Sequence, residues 1–281
     1  MNTGIFSSPR GEVIEHVTDY QFKVREEPVL TQSGIVVPNR RAIIREDNDC
    51  VIGEVGSNYK ILPHSAALDP ILDRLAKKKV KTFKRVAMVD NGSKMFANIY
   101  FPDQEISLPT VGSHKDTCWP GISIINSLDG TLKYSLEATI YRLACTNGMR
   151  VPTTIAKYKT THSKNKSFDE LVDEILERVS DADRFTVINK WAGRALDSDK
   201  MASLAEKVVK TKGSLFPARY LPQVREEIET EAKNGLTTVW GLYNAFNSVL
   251  EHNLIRGKGK LERARMLDEN LFKTFDKVFK S

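Results

Sequence analysis

From Tyr20 onward, apolar and charged positions alternate with the two-residue period of half-buried strands, as in YQFKVREEPVLT and RRAIIRED. CVIGEV continues the pattern after Asp47-Asn48-Asp49, so residues 40–56 read as a β-hairpin whose turn residues tolerate unusual dihedrals. Between Ser65 and Lys77 the spacing becomes helical, with Leu68, Ile71, Leu72 and Leu75 on one face. Extended segments return in VKTFKRVAMV and KMFANIYF, on either side of Asp90-Asn91-Gly92. GISIINS and TLKYSLE flank Leu128-Asp129-Gly130, and ATIYRLAC leads into a Thr146-Asn147-Gly148 turn. This succession predicts a largely antiparallel sheet with a flanking helix.

Beyond residue 166 the period is helical. Ser167 and Glu170 have capping-box spacing, ahead of a stripe of Phe168, Leu171, Val172, Ile175, Leu176 and Val179. Further helices are predicted over Ser198 to Lys210, Pro222 to a stop near Asn234-Gly235, Thr237 to His252, and Lys260 to Lys280. The fold class is therefore α+β: a strand-rich region over 1–160, then a helical region over 161–281 packed on it. Trp240, Tyr243 and Phe246 share a helix face with Val239 and Leu250. Leu267, Leu271, Phe275 and Val278 form a similar final stripe. Either stripe fits core packing or contact between copies in a homo-oligomer.

The composition changes this picture little. Of 281 residues, 41% are hydrophobic and 28% charged, which is ordinary for a folded globular chain. The N-terminus lacks a signal-peptide pattern and no stretch of 18 apolar residues occurs, so neither secretion nor membrane spanning is expected, and a cytoplasmic protein is. Cys50, Cys118 and Cys145 lack the CxxC spacing of a zinc or redox site and read as small hydrophobes. The net charge of +6 favours polyanionic partners, depending on where the cations sit.

Several segments, in order, resemble a known family. REDNDCVIGEVGSNYKILPHSAALDPILDRL is similar to the N-terminal signature of the phage and plasmid-like proteins grouped as domain of unknown function 932. SHKDTCWPGISI and ATIYRLACTNGM resemble that family's later motifs, with Ser113, His114, Arg142, Cys145 and Asn147 in matching places. Lys115 stands where the family has Asp, and Asp116 follows one place later. TVWGLYNAFNSVLEH is similar to a helix near the C-terminus of phage members. The resemblance implies a phage, prophage or plasmid setting, hence a bacterial host cytoplasm if the protein is phage-encoded. It implies no activity.

Two basic segments carry the candidate chemistry. Lys77, Lys78, Lys79, Lys81, Lys84 and Arg85 run without an acidic interruption and enclose Phe83. Lys157, Tyr158, Lys159, Lys164 and Lys166 interleave cations with a ring and hydroxyls. Cations that track phosphates beside rings that stack on bases suit single-stranded DNA better than a groove-reading helix. The bland alternative is a solvated helix end. A third run, Arg256, Lys258 and Lys260 with Arg263 and Arg265, extends a phosphate path or neutralises a helix terminus.

Catalytic motifs are not apparent. The Gly-Lys-Gly-Lys run lacks P-loop spacing. A thiol enzyme would need Cys145 and His114 to meet, whereas short polar residues such as Ser113, His114 and Asn147 also serve tight turns. No cofactor or metal is expected. The sequence thus favours a non-enzymatic single-stranded DNA-binding protein, with strand annealing in recombination or replication as its extension. A host or phage protein partner, met through the helical third in host defence or regulation, is the alternative.

Overall fold

The structure, a computed structural model, describes residues 16–17, 19–110, 116–142, 153–160, 173, 183–254 and 260–279. Ten strands are described: β1 His16–Val17, β2 Val24–Leu30, β3 Val36–Arg45, β4 Val51–Gly56, β5 Phe83–Val89, β6 Lys94–Tyr100, β7 Ile106–Leu108, β8 Asp116–Ser127, β9 Tyr134–Arg142 and β10 Thr153–Thr160. The described helices are α1 His64–Lys77, α2 Asp183–Gly193, α3 Ser198–Lys210, α4 Leu221–Lys233, α5 Val239–Leu254 and α6 Lys260–Phe279.

The class is α+β, with antiparallel sheets toward the N-terminus and helices toward the C-terminus. The hairpins lie where turn chemistry placed them. β3 and β4 flank residues 46–50, and β5 and β6 flank Asp90–Gly92, where Asn91 takes the left-handed region that a short amide side chain tolerates. The strands nevertheless form two sheets. The larger has the order β1-β5-β6-β8-β9-β10, with β7 also on β8, and its outer pair β1–β5 is parallel. The smaller is β2-β3-β4. Alternation along a strand shows that one face is buried but not which sheet supplies its neighbours, which is why two sheets read as one.

One apolar cluster runs from α1 through the large sheet into the helices. Ala67, Leu68, Ile71 and Leu75 of α1 are fully buried, and each of the larger three contributes about 1.5–3 kcal/mol. They belong to the same cluster as Val86, Ala97, Ile99, Ile122, Ile124, Leu136, Ala138 and Ile140 of the sheet. Trp240, Tyr243, Phe246, Leu267, Leu271 and Phe275 are buried in it too, so both aromatic and aliphatic stripes are spent within the chain. Helix α2 carries no strong sequence signal, because Thr186, Val187 and Ile188 are poor helix formers; burial of Ile188, Trp191 and Ala192 overrides that. The helix expected from Ser167 falls outside the described residues except for Asp173, which is helical.

The small sheet has its own cluster of Ile43, Ile52, Val55 and Leu128. It docks on the turn end of the large sheet. Tyr59 donates its hydroxyl hydrogen to the Ser127 carbonyl at 3.0 Å, and Arg45 donates to the Asn91 carbonyl at 3.1 Å. Beside them His64 is buried at the start of α1. Asn126 Nδ2 donates to His64 Nδ1 at 3.0 Å, which leaves Nε2 to donate to the Gly92 carbonyl at 2.8 Å. Burial, against the weaker support of the Gly92 hydrogen bond, pushes the imidazole down to about 4, so it is neutral.

Candidate functional site

Residues directly opposite in a β-ladder share a face, so the register itself builds the site. Phe83 pairs with Tyr100, Tyr100 with Gly121, and Gly121 with Thr139. One step along, Arg85 pairs with Asn98, Asn98 with Ser123, Ser123 with Glu137, and Glu137 with Lys157. These two rows cross the face of the large sheet opposite its apolar side.

Gly121 allows the ring row to lie flat. A Cβ there would stand 2.3 Å from the Ile99 carbonyl oxygen and 3.0 Å from Tyr100 Cδ1. Without it, the Tyr100 ring reaches across β8 to Tyr141 on β9, centroid to centroid 4.6 Å. Phe83 stacks on Tyr100 at 6.0 Å and meets the edge of Trp119 at 6.4 Å. Phe83, Trp119 and Tyr141 are half-buried, whereas Tyr100, Ser123, Glu137 and Thr139 are buried. Ser123 donates its hydroxyl hydrogen to Asn98 Oδ1. Trp119 Nε1 and Thr139 Oγ1 are buried without a hydrogen-bond partner among the described residues, an arrangement that carries a desolvation cost unless another group meets it.

The first basic segment meets this face at its edge. Lys77, Lys78, Lys79 and Lys81 are all exposed, Lys77 as the last residue of α1 and the other three in the turn that leads to Phe83. That turn is a helix cap: the Lys79 N–H donates to the Ala76 carbonyl and the Val80 N–H to the Leu75 carbonyl, with Lys79 at φ +55° where glycine is usual. Lys78 pairs with Asp173 at 2.8 Å, and Arg74 joins the same carboxylate at 2.7 Å. The two cations hold the Asp173 carboxyl down at about 2. Lys81 lies 3.4 Å from Asp103 in an exposed pair. Lys84 and Arg85, being consecutive on β5, point to opposite faces and have other partners.

Of the second segment, Lys157, Tyr158 and Lys159 are positioned in β10, with Lys157 and Lys159 opposite Glu137 and Ser135. Lys164 and Lys166 lie outside the described residues, as do Ser113, His114, Cys145 and Asn147. Cys118 is buried and Cys50 half-buried. No group of His, Cys, Asp or Glu able to hold a metal occurs among the described residues.

Arg142 has a different setting from the lysines. It ends β9 with its guanidinium buried, donating from Nε to Asp116 at 2.6 Å and through both terminal nitrogens to Glu231 of α4 at 2.8 and 2.9 Å. Trp240 of α5 donates to the other Asp116 oxygen at 2.7 Å. Burial alone would disfavour the charge, but attraction and hydrogen bonding by Glu231 and Asp116 outweigh it and raise the guanidinium above its ordinary pKa. The cluster therefore joins the sheet to two helices. Its members lie far apart in sequence, and no local spacing announces it.

The family model described as Domain of unknown function (DUF932) matches residues 51–271, from the start of β4 into α6. The chain belongs to the DUF932 family. No curated protein matches it. The DUF932 region takes in α1, the ring and polar rows and the Arg142 cluster, while β2 and β3 precede it. Among the described residues, no helix is long and apolar enough to cross a membrane.

Proposed function

We infer that this DUF932 protein binds single-stranded DNA at the α1–β5 corner. The observation that carries this reading is the meeting of an exposed lysine turn with a row of rings on one sheet face. Lys77, Lys79 and Lys81 supply cations where a phosphate backbone would pass, and the half-buried Phe83, Trp119 and Tyr141 supply ring surface for unstacked bases. Both elements are independent of base sequence, and the binding requires no cofactor. Annealing follows if strands are held with their base edges free while lysines offset phosphate repulsion, within the cytoplasm of a bacterial host.

The test is fluorescence anisotropy of labelled single- and double-stranded oligonucleotides against salt. Wild type is expected to prefer the single strand, and K77A/K79A/K81A to lower the slope of log K against log salt by about 2, since each phosphate contact contributes roughly 0.7. Absence of salt-sensitive binding overturns the reading.

A second reading, a protein-binding factor, is favoured by one observation. The tip of the β2–β3 hairpin exposes Leu30, Ile35 and Val36 at 58%, 66% and 56%. A protein partner that binds equally well at low and high salt and is lost with L30S/I35S supports this reading over the first.

A further inference from the structure

A second cationic feature lies on the helical part, where the end of α3 meets α6. Helix α3 ends at Lys210, and the chain turns over residues 211–214, closed by the Ser214 N–H donating to the Thr211 carbonyl at 2.9 Å. Gly213 supplies the left-handed φ of +93° that this turn requires. Asn270 on α6 fastens the turn from both ends of its amide: Oδ1 accepts from Leu215 N–H at 2.7 Å, and Nδ2 donates to the Gly213 carbonyl at 3.0 Å.

Between turn and helix is an open cavity of about 310 Å³ lined by Lys212, Lys273 and Lys277 with Asn270, Thr274 and Asp276. The lining thus holds three lysines and one acidic residue. Lys273 is 3.3 Å from Glu269 in an exposed pair, whereas Lys212 and Lys277 have no ion-pair partner among the described residues. Lys277 donates to the Lys212 carbonyl at 3.4 Å. Near the end of α6, Lys273 and Lys277 also complement the helix dipole, but Lys212 stands outside either helix and is not called for by that effect.

We propose that this cavity is a phosphate-binding site, with Lys212, Lys273 and Lys277 as its charge partners. Because the turn is fastened before any ligand arrives, binding requires little ordering of the backbone. The site does not depend on the α1–β5 reading, and it accepts either a free phosphate group or the phosphodiester of a nucleic acid.

The experiment follows the amide resonances of Gly213 and Thr274 in the full chain as inorganic phosphate replaces chloride at constant ionic strength. Saturable shifts confined to this region are expected, with affinity at least 5-fold weaker in K212A/K277A, both substitutions being at exposed or unpaired positions. Thermal melts check that the variant remains folded, and K212R/K277R should retain binding. A lack of saturable shifts, or equal affinity in the alanine variant, overturns the proposal. A short single-stranded oligonucleotide added to the phosphate-bound protein separates the sources: competition at Gly213 identifies the nucleic-acid backbone, and no competition identifies free phosphate.

Discussion

Two parts of the same large sheet use charge in opposite ways. At the end where β8 begins and β9 ends, Asp116, Arg142 and Glu231 are buried and bonded to one another, and Trp240 closes the cluster. At the α1–β5 corner the lysines are exposed, and the rings beside them are only half-covered. A buried charge must be fully partnered, so the first arrangement serves as a joint between sheet and helices. An exposed cation is held only weakly by its neighbours and stays available to a ligand. The contrast separates Arg142 from the residues proposed to touch DNA.

The largest effect should come from breaking the joint. Arg142→Met leaves two carboxylates buried without their cation and is expected to cost about 3–5 kcal/mol in urea unfolding. A folded Arg142→Met protein of unchanged stability that had lost oligonucleotide binding would erase the distinction. Next is the joint of the small sheet. His64 is neutral when folded and has its pKa lowered from 6.5 to about 4, so the unfolded chain takes up the proton first as pH falls. Stability is full above pH 6.5 and declines toward pH 4 by about 3 kcal/mol, levelling below that. His64→Asn should remove this part of the pH dependence while leaving the carboxylate part.

Within the ring row, Gly121→Ala forces Tyr100 and the Ile99 backbone aside and should cost roughly 1–3 kcal/mol, with a change in tyrosine fluorescence. The same substitution sharpens the comparison, since it disturbs the ring face without touching a charge; weaker oligonucleotide binding with an unchanged salt slope is expected. The smallest effect concerns Lys79, whose left-handed backbone is strained for any residue with a Cβ. Lys79→Gly should raise stability by about 0.5–1 kcal/mol in thermal or urea unfolding, and remove one cation from the corner.

The hairpin turns and α3, which runs over the expected Ser198 to Lys210, were legible because each rests on local chemistry: turn residues with unusual dihedrals, and apolar spacing of three and four. The candidate site was legible only in part. The run from Lys77 to Arg85 is plain in sequence, but its division into a helix cap, an exposed turn and a strand with two faces depends on where α1 stops. Trp119, Tyr141 and Tyr100 carried no signal of their own, since a ring in a strand reads as core. Nothing local related Asp116 to Glu231, because electrostatic partners are chosen by proximity in space and leave no period along the chain.

By itself, the sequence determined the hairpin strands and most of the helices, which of their faces were apolar, and to which family the chain belongs. Those properties depend on neighbours a few residues away and on side-chain type. Tertiary structure alone decided that the strands divide into two sheets, that Arg142 is enclosed, and that four aromatic rings gather around Gly121. Those outcomes depend on the register between strands and on helix packing, where one residue's shift in pairing would place each side chain on the other face.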